Sequence, residues 1–417
     1  MKEIEKNTSI NNSPINKKHI IRLNSFWIGF IIYILCYTLY FTPSGTNILH
    51  AIQIPAVILI VVSAISLFQF KIENKYLRGL FPLYICWSVL TIIRGFTTAS
   101  FKEMLYDSRY GMLLYLTPLI ILFPLNKIFY KKLISTIIVF GFFYILFDIF
   151  FIKVLLSSSQ DTNNASQNVM EIFSTLSIPS GFILLTHYYH SKKINLFALF
   201  VVIISFFLAI IRARRGLIFM YSSFLLCSYI LDIFSSNKKF IVIYLAILIS
   251  LVGALYVSNI YKIGKNSIFT FLLDRGDEDT RTGVELYFYD DMKTEDWIIG
   301  KGINAEYFCP DIEPGQTTNY RTVIETDYLQ TILNGGIISL ALLLLIVIPA
   351  IFLGLFYSTN ILSKSAALWI FLWVLSLYPS RVTAFSLHYL TVWISIAICY
   401  SKSIRNMSET SMKKLFT

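Results

Sequence analysis

Long apolar runs separated by short polar joints make up most of this chain. Runs able to cross ~30 Å of hydrocarbon as helices fall at 23–41, 51–70, 79–94, 109–125, 133–152, 170–187, 195–211, 216–234, 240–258, 328–357, 365–379 and 386–400. That pattern predicts about twelve helices, the runs at 79–94, 365–379 and 386–400 being short. The runs are solidly apolar rather than alternating, which argues against a strand-built barrel. The expected fold is an all-α polytopic membrane protein. One polar stretch, 259–326, stands out as a single large loop. It divides the chain into a tail (1–22), nine helices (23–258), the loop, three further helices (327–400) and a second tail (401–417).

Composition agrees with this pattern. The chain has 417 residues, 56% hydrophobic and 14% charged, and a mean hydropathy of +0.66. Soluble domains carry about a quarter charged residues, so little soluble mass is expected. The 35 Phe and 26 Tyr suit lipid-facing and interfacial positions. Met1 to Lys18 lacks the small-residue cleavage site of a signal peptide, so the first span is expected to be retained.

The net charge of +11 is spread over short clusters between spans. It is expected to set topology rather than to bind nucleic acid. Lys17, Lys18 and Arg22 precede the first span, and Lys71, Lys75 and Arg78 follow the second. Lys127, Lys131 and Lys132, then Lys192 and Lys193, Lys238 and Lys239, and Lys402 and Arg405 complete the set. With twelve spans all lie on one side, which the positive-inside rule makes cytoplasmic, with both termini. Cys36, Cys86, Cys227 and Cys399 lie in apolar runs, and Cys309 lies alone in the loop. No metal-ligand spacing occurs among Cys and His.

The arginines break the rule. Arg94, Arg109, Arg212, Arg214, Arg215, Arg275, Arg281, Arg321 and Arg381 all fall on the outer side of this topology, so orientation does not account for them. Arg212-Ala-Arg-Arg-Gly216 occupies a turn barely long enough to join two helices. Guanidinium groups hold phosphate oxygens in a planar fork, and a helix N-terminus adds partial positive charge. A lipid pyrophosphate at the interface fits such a site; snorkelling to headgroups or pairing with loop carboxylates is the plainer alternative. Helical spacing does not let all three arginines point one way, which favours Arg215, beside Gly216, as the ligand contact.

Inside the loop, Gly300-Lys-Gly302 lacks the rest of a phosphate-loop pattern and reads as a tight turn. Glu325 and Asp327 stand at the head of a helix, where its dipole favours carboxylates. For Asp327 that capping role is preferred. Glu325 reads equally as a cap or as a general base toward a sugar hydroxyl. Asp148, an ionisable group inside a span, is a candidate by its cost alone, unless it pairs with a nearby arginine. His388 lies near the outer mouth of the last span.

Arg214-Arg-Gly-Leu-Ile at a helix head is followed by a long loop with Arg281 and Trp297-Ile-Ile-Gly-Lys-Gly302. Glu325-Thr-Asp-Tyr-Leu-Gln330 and Gly335-Gly336 come next. In their order and topology these motifs resemble the O-antigen polymerase and ligase superfamily of integral membrane glycosyltransferases (GT-C-like). The resemblance spans nearly the whole chain. It implies an enzyme of the bacterial inner membrane acting at the outer face on undecaprenyl-pyrophosphate-linked oligosaccharide. A growing glycan, O-antigen or capsule, would move onto the next lipid-linked repeat unit. Arg215 would stabilise the leaving pyrophosphate and Glu325 would serve the acceptor hydroxyl. Arg212, Arg214, Arg281, Arg109, Asp327 and Tyr328 would bind pyrophosphate and glycan. No cofactor or metal is implied, and the expected partners are membrane lipid and a chain-length regulator protein. Ligase members carry histidine where this chain has Glu325, which favours the polymerase. A ligase, or a lipid-linked oligosaccharide flippase, remains the alternative.

Overall fold

The computed structural model describes residues 17–98, 100–155, 160–212, 214–235, 282–310, 318–379 and 382–416. The predicted span at 240–258, the loop residues up to 281 and Arg275, Arg281 and Arg381 lie outside them. Seven helices among the described residues are long and apolar enough to cross a membrane, as expected of an all-α polytopic membrane protein.

The first half builds α1 (Lys17–Tyr40), α2 (Ile48–Leu67), α3 (Lys75–Gly95), α4 (Phe101–Tyr106) and α5 (Met112–Leu116). It continues through α6 (Lys127–Phe150), α7 (Ile152–Leu155), α8 (Gln160–Ser177), α9 (Ser180–Leu185), α10 (Lys192–Ile211) and α11 (Arg215–Ser235). The loop contributes α12 (Thr282–Asp291), α13 (Thr294–Ile299) and an antiparallel pair, β1 (Tyr307–Phe308) with β2 (Tyr320–Arg321). The bundle resumes with α14 (Asp327–Phe356), α15 (Ile361–Ser376) and α16 (Leu387–Tyr400), then α17 (Lys402–Arg405) and α18 (Glu409–Phe416).

Two predicted spans are interrupted. The run at 109–125 becomes α5 followed by a tighter 3-10 helix, Thr117–Leu122, with Pro118 near its start. Proline has no N–H to donate to the preceding turn and its ring crowds it. The run at 170–187 turns at Ile178-Pro179, between α8 and α9. The C-terminal segment is no free tail. Glu409 accepts hydrogen bonds from the Ile361 amide (2.6 Å) and the Tyr189 hydroxyl (2.5 Å), and Phe416 stacks on Tyr189 with ring centroids 5.0 Å apart.

Polar side chains start the helices. Asn74, Asn126, Ser191, Asn360 and Ser386 each accept a hydrogen bond from the backbone N–H three residues on, satisfying amides that the helix cannot. Between the helices the core is aromatic. Trp369, Trp373 and Trp393 are buried, and Trp369 lies between Phe182 and Phe224 at 5.5 and 5.1 Å.

Contacts sort the residues to two ends. At one, Arg22 reaches the Ser66 carbonyl, the Gln69 amide meets the Leu122 carbonyl, and Asn360 bonds the Ile404 carbonyl. The lysine clusters flank these joints. At the other end, the Ile303 amide meets the Thr91 carbonyl, the Phe385 amide meets the Ser108 carbonyl, and Arg109 and Arg214 meet Glu171. The loop residues 282–310 and 318–326 sit at this second end.

Candidate functional site

At the arginine-bearing end the loop is a folded cap with its own core. Phe288, Tyr307, Cys309 and Ile324 pack with Leu329, Ile332 and Leu333 from the head of α14. Its seam with the bundle depends on glycines. Gly336 has φ +70° inside α14 and breaks the helix there, a conformation that costs little only without a Cβ. A break strands carbonyls, and all three before it find donors. Leu333 O accepts from the Lys301 amide (2.7 Å), Asn334 O from the Gly302 amide (2.9 Å), and Gly335 O from the Trp87 indole (2.8 Å). A Cβ on Gly336 would lie 2.0 Å from the Ile298 carbonyl oxygen. The Gly300-Lys-Gly302 turn, with φ +73° and +96°, therefore fits into the broken helix and the end of α3. Arg94 helps close this seam: it donates to the Gly300 carbonyl (3.2 Å) and lies over the Trp87 ring.

Beside this seam stands the charged centre. Glu171, on α8, places Oε1 3.2 Å from Arg109 Nη2 and Oε2 3.3 Å from Arg214 Nη2. Arg109 is held from below. The Asp107 carboxylate accepts from the amides of Arg109 and Tyr110, and Ser108 exchanges two 2.7 Å hydrogen bonds with the Phe385 backbone. Burial opposes the charge on Arg109, but Glu171, Tyr37, Tyr110 and Asp107 together outweigh it, so its proton is held more tightly than usual. Arg212 is buried and donates from Nε to the Leu155 carbonyl. Burial lowers its affinity for its proton. Arg215 is exposed at the first position of α11. The three neighbouring arginines thus have three different environments, and Arg214 is the one drawn to Glu171.

Arg109 also lines a polar cavity of about 50 Å³ within the bundle, together with Tyr115, Asp327, Gln330 and Asn334. Asp327 stands in the first turn of α14, as a helix-head carboxylate would. Its buried carboxylate accepts from the Val382 and Thr383 amides at 2.8 and 2.6 Å, tying the segment before α16 to the head of α14. Gln330 accepts from the Ile324 amide (2.8 Å) and donates to Asn334 Oδ1 (3.2 Å), and Asn334 donates to the Tyr115 hydroxyl (2.8 Å). Both amides are oriented by these bonds.

The structure thus joins Arg109 to Arg214 through Glu171 and places Arg109 with Asp327 on one cavity, while Arg212 is held at Leu155. Glu325 is exposed in the turn before α14. Tyr328 stacks on Tyr378 with ring planes 9° apart, against the loop core. Arg281 lies outside the described residues. His388 is buried edge-on to Trp369. Sequence reasoning missed Glu171, Tyr115, Gln330 and Asn334. Gln330 and Asn334 left a signal: with Asp327 they recur at three and four residues, a polar stripe on one face of an apolar helix. Glu171 stood at the mouth of a span, a carboxylate facing the outer arginines.

Such an arrangement can hold an anion in its guanidinium forks. Two guanidinium groups face one carboxylate, and one of them, Arg109, also lines the cavity. No protein-family model matches the chain, and no match was found among curated proteins or solved structures.

Proposed function

We propose that this chain is a polysaccharide polymerase, a membrane glycosyltransferase of twelve spans. It would sit in the bacterial cytoplasmic membrane with both termini and the lysine-rich end in the cytoplasm. The growing glycan leaves its undecaprenyl pyrophosphate and joins a hydroxyl of the next lipid-linked repeat unit. The observation that carries this reading is the Arg109–Glu171–Arg214 cluster, whose Arg109 also lines the small cavity with Gln330 and Asn334. The cluster is a paired guanidinium site where a lipid pyrophosphate arrives, and arginine forks match phosphate oxygens. Glu171 is a positioning residue that keeps both forks turned inward.

In the transfer, the anomeric C–O bond to pyrophosphate breaks, the acceptor oxygen bonds the anomeric carbon, and the pyrophosphate leaves with the electron pair. Arg109 and Arg214 stabilise the charge that develops, with Arg212, Arg215 and Arg281 adding to the positive field. Gln330 and Asn334 orient the acceptor hydroxyl, and Glu325 takes its proton.

The test is complementation of a host lacking its own polymerase, scoring the polysaccharide ladder at matched membrane levels. Wild type restores a ladder; Arg109→Ala, Arg214→Ala and Glu325→Ala leave single repeat units. Full ladders from all three variants would refute the assigned site. Wild type that restores no ladder but transfers finished glycan to another acceptor would identify a ligase. Wild type that only restores passage of lipid-linked units across the membrane would identify a flippase.

A further inference from the structure

The segment that carries Arg109 continues into the bundle as one wall of an apolar groove. At Pro118 α5 gives way to the 3-10 helix Thr117–Leu122, where side chains three residues apart eclipse. Leu116 and Leu119 therefore fall in one row below Leu113, and Thr117, Ile120 and Phe123 in the next. Residues four apart share a face of an α-helix, and the α2 side presents Ile60, Ala64 and Phe68 beside Val61 and Ile65. These two walls enclose a cavity of about 230 Å³. Phe26 of α1 and Leu390 of α16 line it and are buried, whereas Val61 and Ile65 are 37% and 64% exposed, so it opens past α2 to the outside of the bundle. Thr117 is the one polar side chain among its described lining residues, and its hydroxyl donates to the Leu113 carbonyl (2.8 Å). With that hydroxyl engaged, the lining suits hydrocarbon and no headgroup.

The upper end of the groove is fixed to the arginine site. Leu113 comes four residues after Arg109, so their backbones lie within about 14 Å of each other. Phe385 lines the groove and is locked to Ser108, the residue before Arg109: its amide donates to the Ser108 carbonyl and its carbonyl accepts from the Ser108 hydroxyl, both at 2.7 Å. The lower end lies at the lysine-bearing joint, where Phe68 and Phe123 adjoin the bond from the Gln69 amide to the Leu122 carbonyl (2.8 Å). From Leu113 to Phe123 the wall runs about 18 Å, four residues at the α rise and six at the 3-10 rise. One leaflet of hydrocarbon is about 15 Å deep, half of the ~30 Å core. An acyl tail anchored at the arginine end therefore stops short of Phe68 and Phe123, whereas a long polyisoprenoid tail reaches them. Guanidinium forks above an apolar groove repeat the layout of a phosphorylated long-chain lipid.

We propose that this groove seats the isoprenoid tail of the lipid pyrophosphate, with the head at Arg109 and the tail passing along Leu113, Leu116 and Leu119 to Phe68 and Phe123. The inference rests on the reading of Arg109 as a pyrophosphate ligand, and it adds where the tail lies.

Photolabelling of the full chain in phosphatidylcholine nanodiscs tests it. The probe is undecaprenyl pyrophosphate with a diazirine in the middle of its tail. Label should fall on peptides covering 60–68 and 113–123, and Arg109→Ala/Arg214→Ala should lower it at least tenfold. Unlabelled undecaprenyl pyrophosphate should displace it, and a tenfold excess of phosphatidylglycerol should not. Ala64→Phe, which fills the groove, should lower the label at least tenfold at an unchanged thermal midpoint; where that variant does not fold, Leu119→Trp takes its place. Label that neither filling variant alters would overturn the groove. Displacement by phosphatidylglycerol as readily as by the isoprenoid would also overturn it, by showing a groove for ordinary acyl tails. Label on other peptides that the double-arginine variant still removes would overturn the groove and leave the pyrophosphate site standing. Label in the groove that the double-arginine variant leaves unchanged would overturn both.

Discussion

At one end of the bundle Lys17, Lys71, Lys75, Lys127, Lys131, Lys192, Lys193 and Lys402 stand exposed. At the other, Arg212 is buried, Arg109 and Arg214 share Glu171, and Arg94 spans Trp87 and Gly300. Both ends are basic, yet they are built differently. Lysine is a compact, well-hydrated charge that needs no partner, which suits a role in orientation; arginine's flat fork works when partly buried against defined acceptors. The contrast teaches that local architecture, rather than charge count, separates a solvated face from a binding site.

The comparison breaks most sharply through activity. Arg214→Ala or Arg109→Ala should lower glycan transfer by about a hundredfold or more, while Lys131→Ala with Lys132→Ala leaves it within twofold; a transfer assay on purified membranes decides. Next is the seam beneath the cap. Gly336→Ala forces a Cβ against the Ile298 carbonyl at a positive φ and should cost about 3 kcal/mol or more, read as a lowered thermal midpoint in detergent. Asp327→Ala strands the two amides of Val382 and Thr383 and should cost about 2–4 kcal/mol by the same measurement. Glu171→Gln keeps the shape but loses the charge shared by two arginines. These pairs are partly exposed, so stability should fall by only about 1 kcal/mol, while pyrophosphate affinity weakens as the forks lose alignment. The smallest effect sharpens the contrast: removing Lys131 and Lys132 together should change stability by under about 0.5 kcal/mol.

Much of the bundle was legible because a span is a local signal. The runs at 23–41, 51–70, 133–152 and 195–211 each end within three residues of a helix's C-terminal end. The interruptions at Pro118 and Pro179 were less so, since proline is tolerated in other helices here, at Pro55, Pro82 and Pro349. Neighbours decide where the chain breaks. The Gly335-Gly336 pair and the Gly300-Lys-Gly302 turn were each visible as motifs. That they interlock was not, because their hydrogen bonds join residues more than thirty positions apart. Glu171 escaped for the same reason: its partners lie 62 residues before it and 43 after it. The sequence singles out Arg215 by its place beside Gly216; that Arg214 pairs with Glu171 follows from packing alone.

The most direct test of the account is binding of an isoprenoid pyrophosphate to the full chain in nanodiscs. Farnesyl pyrophosphate, titrated calorimetrically, should bind saturably to wild type and to Lys131→Ala/Lys132→Ala. Binding to Arg109→Ala/Arg214→Ala should weaken by about a hundredfold, as the loss of two charge-assisted contacts requires. Equal affinity in wild type and the double-arginine variant would contradict the claim that this end of the bundle is a pyrophosphate site.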